Sequence, residues 1–469
     1  MQFTKKQTAA YGAGAVGKDM VYALSSGYVL YFYQDILGIN AGFVAAVLLG
    51  ARIFDALNDP FMGILVAKTR SRWGKFRPWI FSGTVLNALV LYAMFAAPAS
   101  LSAGGLRLWF AIIYILWGVT YTMMDIPFWS IIPAVTKDPA DRENISVVGR
   151  TCAGVGNALI TVFCMKAVQT LGGGISPQAE RAGFGRIALI VAILFVVLEW
   201  ITVHFIREET NTDSEKMETT SVREMFSSLF HNDQAMVVVI SIVLINTALY
   251  ITSNLLIYFF KYDISGNGWA DKYALFNMVG GASQIIGMMA VYPLLRKKLS
   301  NEMIFRMCLI SEMLGYILIL LACLTGLSSN MIVICICGLF VFLGNGILTV
   351  LTTVYLSAAV DYGELKTGRR EESVIFSMQT FVVKLASGVA VFLAGMGLTW
   401  IGMQGSSSTD AAETIVQQSA STITGLRLLM TIIPVILLVC AMIVFKTKFK
   451  MSDAQIERMN AELKEKHGE

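Results

Sequence analysis

Residues 42–67, GFVAAVLLGARIFDALNDPFMGILVA, are apolar at most positions but carry Asp55 and Asp59 in their interior. The next segment, RSRWGKFRPW at residues 70–79, is strongly basic. About 20 mostly apolar residues are enough for a helix to cross the hydrocarbon core of a bilayer. Basic segments next to such helices are typical of cytoplasmic loops. We therefore predict a membrane-spanning helix that ends at a cytoplasmic loop, and we expect this loop to dock on neighbouring helix ends and stabilise one conformer.

The whole chain has the composition of a polytopic membrane protein. Of its 469 residues, 56% are hydrophobic and 14% are charged, and the mean hydropathy is +0.65. A soluble protein has roughly 25% charged residues. We predict an all-α membrane protein with twelve transmembrane helices, at residues 10–30, 42–67, 79–97, 108–135, 145–170, 187–206, 235–258, 273–295, 303–324, 331–360, 374–402 and 426–445.

A long hydrophilic segment divides these helices into two sets of six. We predict an N-terminal bundle at 1–206, a central cytoplasmic loop at 207–234, a C-terminal bundle at 235–447 and a solvated cytoplasmic tail at 448–469. Positive charges cluster in every second loop and in both terminal segments, which predicts that both termini are cytoplasmic. Basic loops at corresponding places in the two halves indicate an internal duplication, and transporters built from two such halves bind their cargo near the middle of the membrane.

Three polar residues of the second helix share one face. Asp55, Asn58 and Asp59 follow the spacing i, i+3, i+4, which brings their side chains together. Two carboxylates and an amide carbonyl offer the oxygen ligands that small hard cations prefer. Without a cation the two acids would repel each other, and one would tend to take up a proton. The pattern predicts a site for Na⁺, Li⁺ or H⁺; the alternative is an interhelical salt bridge in which Arg52 neutralises Asp55.

The fourth helix carries a second polar face. Tyr121, Asp125 and Trp129 recur every four residues. A carboxylate can accept hydrogen bonds from two sugar hydroxyls, while an indole covers the apolar face of the ring. Asp19 in the first helix is a candidate for a second acceptor. Taken alone, Trp129 would be interpreted as an aromatic residue at the membrane interface.

A single lysine lies within the eleventh predicted helix. Lys384 follows Thr380 by one helical turn. An ionisable residue inside a membrane segment usually faces a cavity or an oppositely charged partner. We expect Lys384 to meet Asp55 or Asp59 across a central cavity and so to link cation binding to the approach of the two halves.

Four segments resemble a known family. They are residues 55–63 (DALNDPFMG), 70–79 (RSRWGKFRPW), 121–129 (YTMMDIPFW) and 361–364 (DYGE). These segments are similar to those of melibiose permeases, in the glycoside-pentoside-hexuronide:cation symporter family, a branch of the major facilitator superfamily. The resemblance runs from about Tyr11 into the twelfth helix. It implies the two-bundle fold of that superfamily and alternating-access symport of a sugar such as melibiose or another galactoside, driven by Na⁺, Li⁺ or H⁺.

The resemblance also implies roles for individual residues. The cation site corresponds to Asp55, Asn58, Asp59 and Thr122, with Asp55 and Asp59 as the carboxylate ligands of the metal ion. The sugar pocket corresponds to Lys18, Asp19, Tyr121, Asp125, Trp129, Arg150, Gln379, Thr380 and Lys384. The cytoplasmic gate corresponds to Arg142, Asp361, Glu364 and Arg370. We expect no cofactor beyond the transported ion, no nucleic-acid partner, a monomer, and a place in the inner (cytoplasmic) membrane of a bacterium.

The chain also departs from this family pattern. In the tenth helix it has GILT at 346–349 where melibiose permeases have a tryptophan, and it has Ala358 near the position of an acid. The second aromatic wall of the pocket and the identity of the sugar therefore stay open, and a different glycoside, pentoside or hexuronide is the alternative substrate. Asp19 and Asp125 favour a neutral glycoside over an anionic one, although Lys18, Arg150 and Lys384 weaken that argument.

Other function classes fit the sequence less well. His204, His231 and His467 are the only histidines, and we find no nucleophile, metal-ligand or phosphate-loop motif of an enzyme. A channel would require a repeated ring of pore-lining residues, whereas the ionisable residues differ between the two halves. A sensor or lipid-handling protein on the same fold remains an alternative, because fold alone does not determine function.

Overall fold

The structure is a computed structural model that describes residues 4–135, 139–208, 232–264, 268–367, 372–405 and 416–467. Within these ranges the regular secondary structure is helical. The long helices are α1 (Lys5–Tyr31), α2 (Ala41–Lys68), α3 (Arg77–Phe95), α4 (Ala103–Ser130), α5 (Pro139–Gly172), α6 (Pro177–Phe205), α7 (Asp233–Tyr258), α8 (Trp269–Ile286), α9 (Asn301–Leu324), α10 (Met331–Thr367), α11 (Glu372–Trp400), α12 (Ala420–Lys448) and α13 (Asp453–His467).

The twelve predicted spans correspond one to one to α1–α12. Among the described residues, ten helices are long and apolar enough to cross a membrane, namely α3–α12 with their direct helical extensions. The other two, α1 and α2, are of similar length but carry charged residues in their interiors, and these are the helices of the candidate polar sites. The all-α architecture with twelve long helices is therefore confirmed.

Seven helices begin at a residue that satisfies a free backbone N–H of the first turn. In each case a side-chain oxygen accepts a hydrogen bond from the N–H three residues further on, as is typical of helix N-caps. These residues are Thr4, Asn40, Ser102, Ser176, Asn232, Ser300 and Ser419. The polar residues of the loops thus fix where the apolar helices start.

The described helices form two compact units, α1–α6 and α7–α13, with the same pairing of helices inside each. In the first unit α1 packs against α5 and α6, α3 packs against α4 and α6, and α2 packs against α4. In the second unit α7 packs against α11 and α12, α9 packs against α10 and α12, and α8 packs against α10. Each of these five helix pairs of the first unit has its counterpart six helices further on, as expected for an internal duplication.

The basic loop after α2 is held by Glu208, which follows α6. The Glu208 carboxylate accepts hydrogen bonds from the backbone N–H groups of Lys75 (2.5 Å), Phe76 (2.8 Å) and Arg77 (2.9 Å) at the start of α3. A carboxylate is favourable there because helix N-termini carry unsatisfied N–H groups and a partial positive charge. The predicted docking of this loop on a neighbouring helix end is confirmed.

The C-terminal tail is attached to the second unit and does not extend freely into solvent. Asp453, at the start of α13, lies 2.9 Å from Arg296 and accepts a hydrogen bond from the N–H of Asn301 at 3.2 Å. Just before it, Met451 is 2% exposed. One ion pair and one apolar anchor thus fix the start of the tail, which the expectation of a solvated tail did not include; the described side chains after Asp453 are exposed or half-buried. Most of the central loop predicted at 207–234, namely residues 209–231, lies outside the described residues.

Replacing Glu208 by alanine should destabilise the first unit. The substitution leaves three N–H groups at the start of α3 without their charged acceptor, at a cost of about 2 kcal/mol in the free energy of unfolding. The measurement is the thermal unfolding midpoint of the purified protein in detergent. Glu457→Ala, which removes an exposed carboxylate on α13, is the control and should leave the midpoint unchanged. Equal midpoints for Glu208→Ala and the wild type would contradict this role.

Candidate functional site

Lys18 is at the centre of a polar cluster formed by α1 and α4. Its ammonium lies 3.0 Å from Asp19 Oδ2 and 2.7 Å from Asp125 Oδ1, and it donates a hydrogen bond to the hydroxyl of Tyr121 at 3.4 Å. Lys18 is 3% exposed. A buried ammonium requires opposite charge close by, and two carboxylates supply it. We call Lys18, Asp19, Tyr121, Asp125 and Trp129 the Lys18 cluster.

Trp129 closes one side of the Lys18 cluster. Its indole N–H donates a hydrogen bond to Asp125 Oδ1 at 3.1 Å. Its ring has the Lys18 ammonium at 5.0 Å and the Arg150 guanidinium at 4.2 Å from its centre. Such distances allow attraction between each cation and the face of the ring. Trp129 is therefore a member of the polar cluster and not an isolated interfacial aromatic residue.

The predicted cation ligands lie between α2 and α4. Asp59 Oδ1 accepts a hydrogen bond from the Thr122 hydroxyl at 3.2 Å. Asp55 is 8% exposed and faces α4 at Gly118, where a Cβ atom would lie 2.5 Å from Asp55 Oδ1. Glycine at this position is what allows the carboxylate to approach α4. With the partly buried Asn58, these side chains form the group that we call the Asp55–Asp59 cluster.

Arg52 lies beside the Asp55–Asp59 cluster. Its guanidinium is 3.7 Å from Asp55 Oδ2 and donates a hydrogen bond to the hydroxyl of Tyr22 at 3.3 Å. The alternative in which Arg52 neutralises Asp55 is therefore confirmed in part: the ion pair is present, but it lies within one helix, between residues three apart, and not between helices. The contact is long for a charge-assisted hydrogen bond. Arg52 therefore offsets part of the charge of Asp55, while Asp59 takes its hydrogen bond from Thr122.

Tyr22 connects the two clusters and was missed by the sequence analysis. Its hydroxyl accepts the hydrogen bond from Arg52, and its ring centre lies 5.6 Å from that of Tyr121. On α4, Tyr121 contacts the Lys18 cluster and the next residue, Thr122, contacts Asp59. The two clusters are therefore joined both through α4 and through an aromatic and guanidinium bridge. No spacing rule relates Tyr22 to Arg52, because they lie on different helices.

The remaining predicted residues are placed only in part. The side chains of Arg142, Gln379 and Thr380, and all of Arg370, lie outside the described residues. Lys384 is half-buried on α11, and Asp361 and Glu364 lie near the end of α10, where Glu364 is 7% exposed. Their roles in a gate or a sugar pocket stay predictions.

The C-terminal end of α10 has further contacts that the sequence did not indicate. Lys366 pairs with Asp233 at 2.9 Å, and the hydroxyl of Tyr362 donates a hydrogen bond to the same carboxylate at 3.1 Å. Asn232 donates a side-chain hydrogen bond to the carbonyl oxygen of Ala359 at 2.7 Å. The DYGE segment is thus attached to the start of α7.

The sequence analysis also missed two buried acids inside the predicted spans. Glu199 on α6 is 1% exposed and faces Gly14 of α1, and Glu312 on α9 is 2% exposed. In the described part of the chain, neither oxygen of Glu199 has a hydrogen-bond partner. A complete count of ionisable residues in the predicted spans would have found both, since membrane-buried acids are expected to be functional.

The Asp55–Asp59 cluster differs from a resident metal site. Among the described residues there is no group of three or more His, Cys, Asp or Glu side chains able to hold a metal ion. The cluster instead combines two carboxylates with an amide and a hydroxyl. Such a donor set suits a weakly held monovalent ion better than a structural Zn²⁺, which takes four tightly bound nitrogen or sulfur ligands.

Solved structures of transporters share this fold. The nucleoside transporter NupG superimposes with a TM-score of 0.63 at 13% sequence identity, covering 94% of this chain and 100% of that one. The xylose transporter XylE from E. coli superimposes with a TM-score of 0.59 at 13% identity, covering 96% of this chain and 98% of that one. This likeness, together with a match of residues 10–453 to an MFS family, identifies the fold as that of the major facilitator superfamily, as predicted.

Curated relatives extend over nearly the whole chain. The lactose permease of Lactobacillus helveticus is 27% identical over 98% of this chain and 72% of its own length. The inner membrane symporter YicJ of Escherichia coli K12 is 27% identical over 98% of this chain and 94% of its own length. The isoprimeverose transporter of Lactiplantibacillus pentosus is 27% identical over 83% of this chain and 79% of its own length.

The predicted family is confirmed at the level of sugar transport, whereas no finding singles out melibiose. The family described as MFS/sugar transport protein matches residues 10–453. Together with its apolar helices and its bacterial relatives, this match identifies a multi-pass membrane transporter. The chain belongs to the MFS/sugar transport protein family.

Proposed function

We propose that this protein is a secondary active transporter that carries a glycoside together with Na⁺, Li⁺ or H⁺ by alternating access. The adjacency of the two clusters on α4 carries this proposal: Tyr121 contacts Lys18, and Thr122 bonds Asp59. The relatives named for lactose, raffinose and isoprimeverose support a glycoside as the substrate.

The Lys18 cluster is the sugar site in this proposal. Asp125 and Asp19 present carboxylate oxygens to sugar hydroxyls, and the Trp129 ring covers the apolar face of the sugar. Lys18 pairs with both of these carboxylates, so the Lys18 cluster has no excess of positive charge that would select an anionic hexuronide. A neutral glycoside, such as a galactoside, is the substrate class that fits best.

The Asp55–Asp59 cluster is the cation site in this proposal. A monovalent cation would take its ligands from Asp55, Asp59, the Asn58 carbonyl and the Thr122 hydroxyl. Bound there, it would neutralise the charge that Arg52 offsets only in part. Because Thr122 is adjacent to Tyr121, a shift of α4 on cation binding would move both clusters together. The coupling is reciprocal, so the sugar should raise cation affinity by the factor by which the cation raises sugar affinity.

The second unit would complete the transporter. Lys384, Gln379 and Thr380 on α11 would line the sugar pocket, with Lys384 meeting Asp55 or Asp59. Arg142, Asp361, Glu364 and Arg370 would form the cytoplasmic gate that closes the outward-open state. The protein would act as a monomer in the cytoplasmic membrane, with both termini inside, in agreement with the positions of its basic loops.

Calorimetric binding of a glycoside panel to the purified protein tests the function. The panel contains α- and β-galactosides, glucosides, xylosides and glucuronides, each measured with NaCl, LiCl or choline chloride. We expect one neutral glycoside to bind about tenfold or more tightly with the coupling cation, a typical size for coupling between two sites. Absence of binding by every sugar under every cation and pH condition would contradict the proposal.

Asp59→Cys should abolish the stimulation of sugar binding by the cation and leave weaker, cation-independent binding. The reason is that one of the two carboxylate ligands is lost while the Lys18 cluster is unchanged. The measurement is the sugar Kd with and without NaCl.

Variants of Thr122 provide the matched control for this experiment. Thr122→Ser keeps the hydroxyl that bonds Asp59 and should keep the stimulation, whereas Thr122→Val removes the hydroxyl and should require more cation. Undiminished stimulation by Na⁺ in Asp59→Cys would remove this site from the proposal.

Asp125→Ala should weaken sugar binding by about tenfold to a hundredfold, the cost of losing hydrogen bonds to a charged acceptor. The Asp55–Asp59 cluster does not include Asp125, so stabilisation of the protein by NaCl should persist. Asp271→Ala, which changes an exposed carboxylate on α8, is the control and should bind the sugar normally. Unchanged sugar affinity in Asp125→Ala would contradict the pocket assignment.

A further inference from the structure

A second buried polar site lies in the second unit, on helices other than those that form the two clusters described above. It consists of Gln284 on α8, Glu312 on α9 and Asn345 on α10. Glu312 is 2% exposed and Asn345 is 3% exposed. Three helices of a largely apolar unit therefore converge on one carboxylate and two amides.

The hydrogen bonds of this site fix the direction in which each group points. The side-chain N–H of Gln284 donates to Asn345 Oδ1 at 3.0 Å. The side chain of Asn345 also lies against the Glu312 carboxylate, and because its oxygen already accepts from Gln284, its NH₂ is the group that faces the carboxylate. Glu312 Oε1 is buried and has no hydrogen-bond partner in the described part of the chain. The carboxylate of Glu312 thus faces the amide of Asn345, and its Oε1 has no hydrogen-bond partner among the described residues.

Two glycines of α10 make room for this arrangement. At Gly344 a Cβ atom would lie 2.9 Å from the carbonyl oxygen of Cys308 and 3.1 Å from Cγ of Glu312. At Gly346 it would lie 2.2 Å from the carbonyl oxygen of Gln284. A side chain at either position would force α8 or α9 away from α10. Part of the GILT departure in the tenth helix is therefore a packing requirement of this site.

Glu312 has no cationic partner among the described residues. The titratable side chains on which Glu312 acts, Cys308 and Tyr316, lie on its own helix. The helices α8, α10 and α12 place no charged side chain against it in the part of the chain that the structure describes. An isolated carboxylate inside a membrane protein is unfavourable by several kcal/mol. The site therefore requires a positive charge from elsewhere, either a proton or a bound cation.

The position of the site corresponds to that of the Asp55–Asp59 cluster in the other half. The helices α8, α9 and α10 are the counterparts of α2, α3 and α4 in the repeated pairing. Gly118 and Gly346 are each the sixteenth residue of their helix. Gly118 makes room for the side chain of Asp55 on α2, and Gly346 makes room for the backbone of Gln284 on α8. The duplication thus places polar oxygens at equivalent points of the two units.

We propose that Glu312, Asn345 and Gln284 form a second site for a single positive charge, either a proton or an alkali cation, within the second unit. Glu312 Oε1 is the atom that binds this charge. Asn345 holds the other carboxylate oxygen, and Gln284 fixes the orientation of Asn345. Occupancy of the site neutralises Glu312 and stabilises the packing of α9 on α10. This role does not depend on the sugar that the protein carries.

The test uses the full-length protein in detergent and a variant that separates the two sites. Asp59→Asn removes a carboxylate of the first site, and Glu312→Gln is then added to it. The thermal unfolding midpoint is measured in NaCl, LiCl and choline chloride at equal ionic strength, each over a range of pH. We expect Asp59→Asn to keep a stabilisation of about 2 °C or more by an alkali ion or by acid, and the double variant to lose it.

The salts and the pH series identify the charge. Stabilisation by NaCl or LiCl at constant pH identifies an alkali cation, and stabilisation by acid alone identifies a proton. Glu302→Gln, on the same helix but paired with Arg306 near the surface, is the control and should keep the response. Identical responses of Asp59→Asn and the double variant would overturn the proposal.

A second variant keeps the test decisive if Glu312→Gln does not fold. Asn345→Asp adds a second carboxylate beside Glu312, so the stabilisation by the cation or by acid should increase. No increase would overturn the proposal. None of these measurements uses a sugar, so their outcome is independent of the binding experiments that test symport.

Discussion

The ion pairs of Lys18 are the constraint on which the first unit depends. Burying an ammonium is unfavourable unless opposite charges accompany it, and here Asp19 and Asp125 lie within 3.0 Å. The carboxylates come from different helices, so the charge balance holds α1 against α4. Trp129 is in turn positioned by its hydrogen bond to Asp125. Removing Lys18 would leave two carboxylates without their counter-charge, and removing Asp125 would release the aromatic wall, so the stability of this unit and the shape of its polar cluster are not independent.

Helix geometry explains how one helix can serve two sites. Consecutive residues of an α-helix point about 100° apart, since 3.6 residues complete a turn. Tyr121 and Thr122 therefore face different neighbours, Lys18 on α1 and Asp59 on α2. A rotation or shift of α4 that improves one contact must change the other. The bridge from Arg52 through Tyr22 to Tyr121 adds a second connection between the same two sites. In the proposed symport, coupling between cation and sugar would require only small movements of rigid, packed elements, which have few alternative arrangements.

Local spacing predicted those parts of the fold and of the candidate site that lie on a single helix. Runs of apolar residues predicted the helices α1–α12, and the spacing in α2 and α4 predicted which polar residues share a face. Contacts between helices were not predictable in this way. The central place of Lys18, the Tyr22 bridge and the attachment of Glu208 to α3 depend on the relative register of helices far apart in sequence. Glu199 and Glu312 were missed for a simpler reason, because the ionisable residues of the spans were not all counted.

A repeated segment was also overlooked in the sequence. YFYQDI at 31–36 and FFKYDI at 259–264 both lie where the first helix of a unit passes into a π-helical turn.

The duplication preserved helix pairing but not chemistry. In the first unit the helix pair α2 and α4 brings together carboxylates, an arginine and a hydroxyl, whereas in the second unit α8, α9 and α10 surround one carboxylate with two amides. Amides hold a carboxylate in place without neutralising it. The proposed second site therefore takes its positive charge from a proton or a bound cation, whereas the Lys18 cluster contains the ammonium of Lys18. Close approach at Gly118 and Gly346 is common to both halves, because each helix pair needs a residue without a side chain at that contact. The backbone arrangement therefore constrains these glycines, while the polar side chains of the facing helices were free to diverge in charge.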